Sequence, residues 1–387
     1  MHKQTIMNTI IKSFFLFFLA AGIYGCSKMD ATYKEFLKDS DALYPGKVDS
    51  VQVFPGRERI KFNVLLSSDP KVKKLKVFWA GRQESVEFPV SPDELGHRKE
   101  LMVAPIPEGD HTFYIITYDG NDNPSVSTEV FSAVYGTSYQ SALLSRPVTS
   151  AITDGAGTLN IQLGAADISN GAHATEIIYT DTTGNTVTRR LEAAENNTVL
   201  DDYQTESIFK YRTLYLPAST AIDTFYTAYD TVVKVIDLSK TPVDLLRSGW
   251  TATASSFDDR PGGYRPPQNT LDGDVSTMWH SQVVPQMTYP HWIMVDMGSV
   301  QNGIDGIFLL AQVRNETAKT INVLISDDNV SWTFMGTFPV QNIATQQYFD
   351  FFPGDQHFRY FKVIAAEPTG STSNTVIVEI GAFTRDN

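Results

Sequence analysis

The feature that most constrains the fold is a stretch of twelve residues, Thr270 to Ser281, which reads TLDGDVSTMWHS. Its Asp272-Gly273 pair predicts a tight turn, because glycine supplies a positive φ and aspartate can bond to its own backbone. Such a turn would place Asp272, Asp274 and Thr277 around one point, and carboxylate, hydroxyl and carbonyl oxygens are the ligands that Ca²⁺ prefers. Taken alone, the same pattern is also typical of a solvated hairpin loop.

Further motifs surround this stretch. They are Ala252–Ser256 (ATASS), His291–Gly298 (HWIMVDMG), Ser326–Trp332 (SDDNVSW), Arg359–Val363 (RYFKV) and Val378–Ile380 (VEI). In this order and spacing, residues from about 248 to 384 resemble the coagulation factor 5/8 type C family, also called discoidin domains, which includes bacterial galactose-binding-like carbohydrate modules. The resemblance implies a jelly-roll β-sandwich, in which Trp279 and Trp292 pack in the core.

The resemblance also implies a metal site. In the family, a structural Ca²⁺ lies where the chain ends meet, and it holds the turn against the last strand. The role of this ion is in folding and not in catalysis. The matching positions are the carbonyl of Asn269 and the residues Asp272, Asp274, Thr277 and Glu379.

The sugar site of such modules lies in loops at one end of the sandwich. An aromatic ring contacts the apolar sugar face, and Arg, His or Asn side chains bond to the hydroxyl groups. For Arg314 a surface ion pair with Glu316 or Asp305 is an equally weighted alternative. The candidate ligand-binding residues are Tyr264, Arg265, Tyr289, His291, Arg314 and Asn315.

The rest of the chain also predicts β structure. With 387 residues, two to four domains are expected. Short alternating apolar segments separated by turn signals indicate one sandwich at 45–136 and another at 137–240, both resembling fibronectin type III or immunoglobulin-like modules. The pair resembles an uncharacterised family of Bacteroidetes lipoproteins. The predicted fold is therefore all-β: two immunoglobulin-like or fibronectin-III-like sandwiches followed by a discoidin-type jelly roll at 245–387.

The N-terminus predicts an export signal. Lys3 and Lys12 precede an apolar run from Ser13 to Ile23, which is too short to span a bilayer. The only cysteine, Cys26, follows this run. The segment resembles a bacterial lipobox, which implies cleavage of residues 1–25, lipid attachment at Cys26, and a tether at 26–44. We therefore expect a lipid-anchored protein of a Gram-negative outer membrane, exposed at the cell surface.

Charge and motif content narrow the function. The net charge of −13 argues against a nucleic-acid partner. The histidines are scattered, and adjacent pairs such as Asp258-Asp259 suit turns better than acid–base catalysis. The expected function is that of a non-catalytic, lipid-anchored glycan-binding protein with a structural Ca²⁺. An envelope adhesion or assembly protein with a protein partner is the alternative, and a glycosidase built from distant carboxylates is a weaker one.

Overall fold

The computed structural model describes residues 44–370 and 373–385. Within these ranges the protein is all-β, with a few short helices between its strands. The predicted signal peptide, Cys26 and the tether up to residue 43 lie outside the described residues. In the part of the chain that the structure describes, no helix has the length and apolar character needed to cross a membrane.

The chain divides into two compact units. Among the described residues, one unit consists of the chain up to Ser138 together with Thr220–Asp223, and the other of Tyr139–Ser219 and the chain from Thr224 onward. The second unit contains two of the three predicted sandwiches, which we call the second sandwich and the C-terminal module.

The first unit is a sandwich of antiparallel strands. Its strands are β1 (Ser50–Pro55), β2 (Ile60–Leu65), β3 (Lys74–Trp79), β4 (Glu84–Pro89), β5 (Arg98–Val103), β6 (Gly109–Tyr118) and β7 (Thr128–Val134), with 3-10 helices at Ala80–Arg82 and Pro92–Glu94. The sheet orders are β1-β2-β5 and β4-β3-β6-β7. In β2, Ile60 and Phe62 are fully buried, and Trp79 in β3 is only 9% exposed. This burial confirms the alternating pattern, and it places Trp79 in the core.

The segment Thr220–Asp223 belongs to the first unit because it is bonded to β1 and its turn. The Asp223 carboxylate accepts hydrogen bonds from the backbone nitrogen of Arg57 (2.8 Å) and from Nε of Arg59 (2.9 Å). The Ile222 nitrogen donates to the carbonyl of Pro55 (2.9 Å). From the sequence, these residues are expected in the second sandwich, because no local pattern indicates that they bond to the first one.

The second sandwich has its own core. Its elements are α1 (Thr137–Ser141), β8 (Val148–Thr153), β9 (Leu159–Leu163), β10 (Ala172–Thr180), β11 (Thr186–Glu192), β12 (Asn197–Leu200), β13 (Phe209–Tyr215), β14 (Phe225–Tyr226), β15 (Asp230–Val232) and β16 (Ile236–Asp237), with a 3-10 helix at Ile168–Asn170. One sheet has the order β12-β9-β8-β16, and the other β11-β10-β13-β14, with β15 also paired to β13. Thr180 faces Thr186 across β10 and β11, so a hairpin turn joins these two strands.

The C-terminal module is a larger sandwich. Its strands are β17 (Pro242–Asp244), β18 (Thr251–Ala254), β19 (Trp279–His280), β20 (His291–Ile304), β21 (Gly306–Leu310), β22 (Ala318–Ser326), β23 (Thr333–Pro339), β24 (Gln346–Asp350), β25 (Gln356–Pro368), β26 (Val376–Ile377) and β27 (Glu379–Arg385), with a 3-10 helix at Pro267–Leu271. A sheet β17-β27-β21-β24 packs against a sheet β18-β20-β25-β22-β23, and β19 pairs with β26. Trp279 and Ile321 are fully buried between the sheets. Because β17 pairs with β27, the module begins at Pro242 and not at 245.

One end of the C-terminal module, here called the base, meets the second sandwich. Phe352 packs against the core of that sandwich. Lys234, which follows β15, forms an ion pair of 2.7 Å with Asp305, a carboxylate that is 5% exposed. Asp305 also accepts hydrogen bonds from the backbone nitrogens of Asp355 (3.1 Å) and Arg385 (2.8 Å). The base is therefore a packed, hydrogen-bonded joint within the second unit.

Candidate functional site

The loops at the other end of the C-terminal module form a single edge, here called the rim. Strand register places them together: Ala254, near the end of β18, pairs with Ile293, while His291 at the start of β20 pairs with Ala365 of β25. Because these strands are antiparallel, loops that leave and enter them at this level meet at the same edge. The described residues of the rim are 257–266, 282–290, 312–317, 369–370 and 373–374.

Tyr264 presents an aromatic ring to solvent at the rim. The residue is 65% exposed. Its ring stands edge-on to that of Phe257, with centroids 5.7 Å apart and an interplanar angle of 89°, and Phe257 packs against the core. The Tyr264 ring is thus packed on one side and open to solvent on the other, and its contact with a ligand stays a prediction.

The loop that carries Tyr264 is fixed by the carboxylate of Asp258, which is fully buried. It accepts hydrogen bonds from Nε of Arg260 (2.7 Å) and from Nη1 of Arg265 (3.2 Å). The hydrogen bond from Arg260 lowers the pKa of Asp258 to about 2. The other N–H groups of Arg265 make no hydrogen bond to the described residues, so this guanidinium is both anchored and able to donate to a ligand.

Arg314 and Asn315 lie on an adjacent loop of the rim, and both are exposed. The backbone nitrogen of Arg314 donates to Oδ1 of Asn342 (3.1 Å), and the carbonyl of Asn315 accepts from the nitrogen of Gly370 (3.1 Å). Among the described residues Arg314 has no ion pair with Glu316 or Asp305. Asp305 is paired with Lys234 at the base, so the ion-pair alternative for Arg314 is wrong with respect to that residue.

Tyr289 and His291 support the rim from inside. His291 is 1% exposed, and its Nε2–H donates to the carbonyl of Ser373 (2.6 Å). Burial lowers the pKa of His291 and raises that of Tyr289, whose hydroxyl donates to the carbonyl of Asn374 (3.1 Å). The prediction that His291 contacts a ligand is therefore corrected: its imidazole is bonded to the 373–374 segment, away from solvent.

Oxygen atoms crowd together beside the predicted turn, where Gly273 has a φ of 77°. The hydroxyl of Thr277 lies 3.2 Å from the carbonyl of Asn269, 2.8 Å from Oδ2 of Asp272 and 3.1 Å from the carbonyl of Asp274. One hydroxyl proton can satisfy only one of these acceptors at a time. A hard cation would satisfy all of them, so the oxygen cluster fits the expected Ca²⁺.

Glu379 completes this cluster. It is 4% exposed, and its Oε1 is buried without a hydrogen-bond partner. Burial raises the pKa of Glu379, and the nearby carboxylate of Asp272 raises it further, while the guanidinium of Arg247 opposes this shift. Two adjacent carboxylates with one orphaned oxygen are an arrangement that a divalent cation would stabilise.

The carboxylate of Asp274 was predicted to be a metal ligand, but in the structure it is bonded to Ser276. Its Oδ1 accepts hydrogen bonds from the backbone nitrogen (2.9 Å) and the hydroxyl (2.7 Å) of Ser276. Only its carbonyl faces Thr277. Accordingly, the described residues contain no group of three or more His, Cys, Asp or Glu side chains that could hold a metal, and a cation here would depend on carbonyl and hydroxyl oxygens beside two carboxylates.

Sequence reasoning missed Arg247 and Asp258. Nη1 of Arg247 donates to Oε2 of Glu379 and to the carbonyls of Thr270 (2.9 Å) and Ile380 (3.1 Å). Arg247 and Glu379 are 132 positions apart, so no local pattern links them. The sequence predicts Asp258 as a turn residue, but the arginines two and seven positions later are a signal for a charged anchor.

The sandwich, the turn and the rim together define the class of protein. The C-terminal module is an F5/8 type C domain, whose family profile matches residues 251–380. The chain as a whole belongs to the family defined by DUF4998, a domain of unknown function, whose profile matches residues 26–225.

Solved structures similar to this chain are carbohydrate-binding modules and related domains. One is CpGH89CBM32-5 from Clostridium perfringens in complex with GalNAc-beta-1,3-galactose, with 18% identity, a TM-score of 0.33, and coverage of 37% of this chain and 100% of that chain. Another is the C-terminal domain of a chitobiase from Bacteroides fragilis, with 22% identity, a TM-score of 0.33 and coverage of 38% and 100%. A third is the family 32 module of C. perfringens NanJ in complex with galactose, with 16% identity, a TM-score of 0.33 and coverage of 37% and 99%. No curated protein matches the chain.

Proposed function

We propose that this protein is a non-catalytic glycan-binding protein whose rim binds galactose-type or related sugars. The observation that carries the proposal is the exposed ring of Tyr264 beside the anchored guanidinium of Arg265. A sugar offers an apolar face of C–H groups and a set of hydroxyls, so it suits a ring for stacking together with directional N–H donors. The F5/8 type C match supports a binding role for this part of the chain.

The rim loops are preorganised, which supports the proposal that they bind a glycan. Asp258 fixes the loop of Tyr264, and His291 and Tyr289 fix the 373–374 segment, so little conformational freedom remains for a ligand to remove. Arg314 supplies a further exposed guanidinium on the neighbouring loop. We propose that Ca²⁺, held by Asn269, Asp272, Thr277, the Asp274 carbonyl and Glu379, keeps the turn beside this rim in place without touching the sugar.

The test is a glycan array probed with the chain from Ser27 onward, including galactose-terminated glycans. We expect binding that Tyr264→Ala weakens about tenfold or more, because stacking and the water-excluding contact are both lost. Tyr44→Ala is the matched control, since Tyr44 is 62% exposed and lies in the first unit. Silence of the wild-type chain across the array, or equal binding by the Tyr264 variant, would overturn the proposal.

A protein ligand is the second candidate. Val284 and Val313 on the rim are 62% and 60% exposed, and exposed apolar side chains grouped on one edge favour protein contact. In this case the chain should capture envelope proteins, and Val284→Ser and Val313→Ser should each weaken that capture. Competing galactose should not release the captured proteins. Release by galactose would favour the glycan.

We further propose that the chain is anchored by lipid at Cys26 to the outer membrane of a Gram-negative bacterium, facing outward. The basis is the signal-like N-terminal sequence. Cys26→Ala should move the protein from the membrane fraction to the soluble fraction. Protease treatment of intact cells should digest the wild-type protein if it faces outward and leave it intact if it faces the periplasm.

A further inference from the structure

The outer face of the five-stranded sheet in the C-terminal module carries a row of aromatic side chains around one lysine. In β20 and β25, Ile293 and Phe361 point into the core and are buried. Because side chains alternate along a strand, Trp292 and Lys362 point away from that core. Trp292, for which the family resemblance implied a core position, is therefore half-buried on the outer face. We call this surface the outer platform, and its members are Trp292, Trp332, Phe334 and Lys362.

Lys362 lies between two of these rings. Its Nζ is 4.3 Å from the ring centroid of Trp332 and 5.2 Å from that of Trp292. The negative faces of both rings attract the ammonium, so the flexible lysine side chain is held in one place. An ammonium in this position keeps its full charge, because an aromatic ring is not a counter-ion.

The charge of Lys362 has no carboxylate partner among the described residues. The other Arg, Lys and carboxylate side chains of β22 and β25 are paired: Arg359 with Asp296 (2.7 Å) and Lys319 with Glu367 (3.3 Å). Lys362 is thus the one cation of these two strands that remains available to an anion. The platform combines apolar rings with a single positioned positive charge.

The platform runs along β25. Trp292 pairs with Ile364, which lies on the rim side of Lys362. Trp332 lies on the base side, since it comes just before Thr333 at the start of β23. The ring of Phe334 is 59% exposed, so this face is open to solvent. A chain laid along β25 would therefore meet a ring, a charge and a second ring in turn.

A sugar chain fits this row better than a peptide does. The strand β25 lies between β20 and β22, so its backbone donors and acceptors are used within the sheet. A peptide laid across it would find no backbone partner for its own amide groups. A sugar ring, in contrast, places an apolar C–H face on an aromatic ring and keeps its hydroxyl groups at the edge, in water. The ammonium of Lys362 adds the requirement for a carboxylate, which a uronic acid carries.

From this charge and polarity pattern we propose that the outer platform binds a polysaccharide that contains uronic acids. A uronate carboxylate pairs with Lys362, and the sugars on either side contact Trp332 and Trp292. The net charge of −13 repels a polyanion at long range, but physiological salt screens that repulsion beyond about 8 Å. This site is separate from the rim, and it selects for charge where the rim selects for hydroxyl groups.

The experiment is calorimetric titration of the chain from Ser27 onward with trigalacturonate, at neutral pH and fixed ionic strength. The control ligand is the fully methyl-esterified trisaccharide, which has the same skeleton and no charge. We expect trigalacturonate to bind and the ester to bind about tenfold or more weakly, because the charge-assisted hydrogen bond is lost. Absence of binding by trigalacturonate, or equal binding by the ester, would overturn the proposal.

Variants locate the site. Lys362→Met removes the charge from a half-exposed side chain of similar length, and it should weaken trigalacturonate binding about tenfold or more at an unchanged melting temperature. Trp332→Ala should weaken it as well, because a stacking surface is lost. The matched control is Lys319→Met, at a 62% exposed lysine of the same sheet that is paired with Glu367, and it should bind as the wild type does.

Tyr264→Ala separates this site from the rim. It should leave trigalacturonate binding unchanged, even if galactose-type glycans do not bind to the rim at all. Unchanged binding by Lys362→Met would refute the assignment, and loss of binding in Tyr264→Ala would place the uronate at the rim instead. If Trp332→Ala lowers the melting temperature, the comparison of Lys362→Met with Lys319→Met decides alone.

Discussion

At the base of the C-terminal module charged side chains are turned toward each other, whereas at the rim several are turned toward solvent. Asp305 is buried and bonded to Lys234 from another sandwich, while Arg314 is exposed and makes no ion pair in the described part of the chain. The two ends belong to the same sheets, so strand composition does not explain the contrast. What differs is whether the neighbouring loops meet protein or water.

The contrast indicates how the module divides its tasks. A buried, fully bonded carboxylate is costly to remove, because its partners are left unsatisfied. An exposed guanidinium contributes little to stability and keeps its donors for a ligand. Substitutions at the base should therefore lower stability, and substitutions of exposed side chains at the rim should lower binding.

Asp305→Ala should break the base. It removes the partner of Lys234 and leaves the backbone nitrogens of Asp355 and Arg385 without acceptors. We expect the free energy of unfolding to fall by about 3 kcal/mol in urea denaturation. The control Asp327→Ala should change it by less than about 0.5 kcal/mol. A loss below about 1 kcal/mol for Asp305→Ala would mean that contacts at the base contribute no more to the free energy of unfolding than contacts at the rim.

Removal of Ca²⁺ should destabilise the turn beside the rim. At an ion concentration of about 100 times Kd, binding contributes about 2.7 kcal/mol, so EDTA should lower the melting temperature measured by calorimetry. Asp272→Ala should abolish this response because it removes a carboxylate of the oxygen cluster.

Asp274→Asn serves as the matched control for that experiment. Its carboxylate is bonded to Ser276 and only its carbonyl faces the cluster, so the EDTA response should persist. A wild-type protein indifferent to EDTA would argue that Arg247, bonded to Glu379, already supplies the positive charge that this cluster needs.

Asp258 should give the rim an acid-sensitive step. Its pKa is lowered from 3.8 to about 2, chiefly by the hydrogen bond from Arg260. A lowered folded pKa stabilises the protein above the unfolded pKa, and this stabilisation is lost as the pH falls through the folded value. The difference in melting temperature between the wild type and Asp258→Asn should be constant above about pH 5 and should close toward pH 2. A difference that does not depend on pH would show that the carboxylate charge is not what anchors the loop.

Arg314→Ala should have the smallest effect on unfolding, within about 0.5 kcal/mol, because the side chain is exposed. Glycan binding by the same variant should weaken about tenfold, since a charge-assisted hydrogen bond is lost. Arg314→Lys should restore part of the binding if charge alone matters. If Arg314→Ala destabilises the fold instead, the division between base and rim fails.

Features set by local chemistry could be predicted from the sequence. Asn329 adopts a φ of 61°, in the left-handed region that asparagine tolerates in turns, and Trp279 is fully buried, as the family resemblance implied. The family motifs predicted the position of the sandwich in the chain and the proximity of Glu379 to Asp272. These predictions depend on short patterns or on motifs in a fixed order, and both can be recognised in a single sequence.

Features set by tertiary contacts could not be predicted. His291 has the chemistry of a sugar ligand but is buried, because its strand begins below the 373–374 segment. The bond between Lys234 and Asp305 joins two sandwiches that the sequence treats as separate domains. No sequence neighbour of His291, Lys234 or Asp305 indicates the tertiary partner of that residue, and charge alone does not identify a partner.

The link between β16 and β17 is short and bonded along its length. Leu238 donates to the carbonyl of Thr153 (3.0 Å), and the carbonyl of Lys240 accepts from Nη1 of Arg385 (2.7 Å). A protease needs several residues of extended, mobile chain to cut, and this link does not offer them. A shortened gene product that starts after β17 would lack the pairing of β17 with β27. The C-terminal module should therefore resist release from the second sandwich by proteolysis of this link.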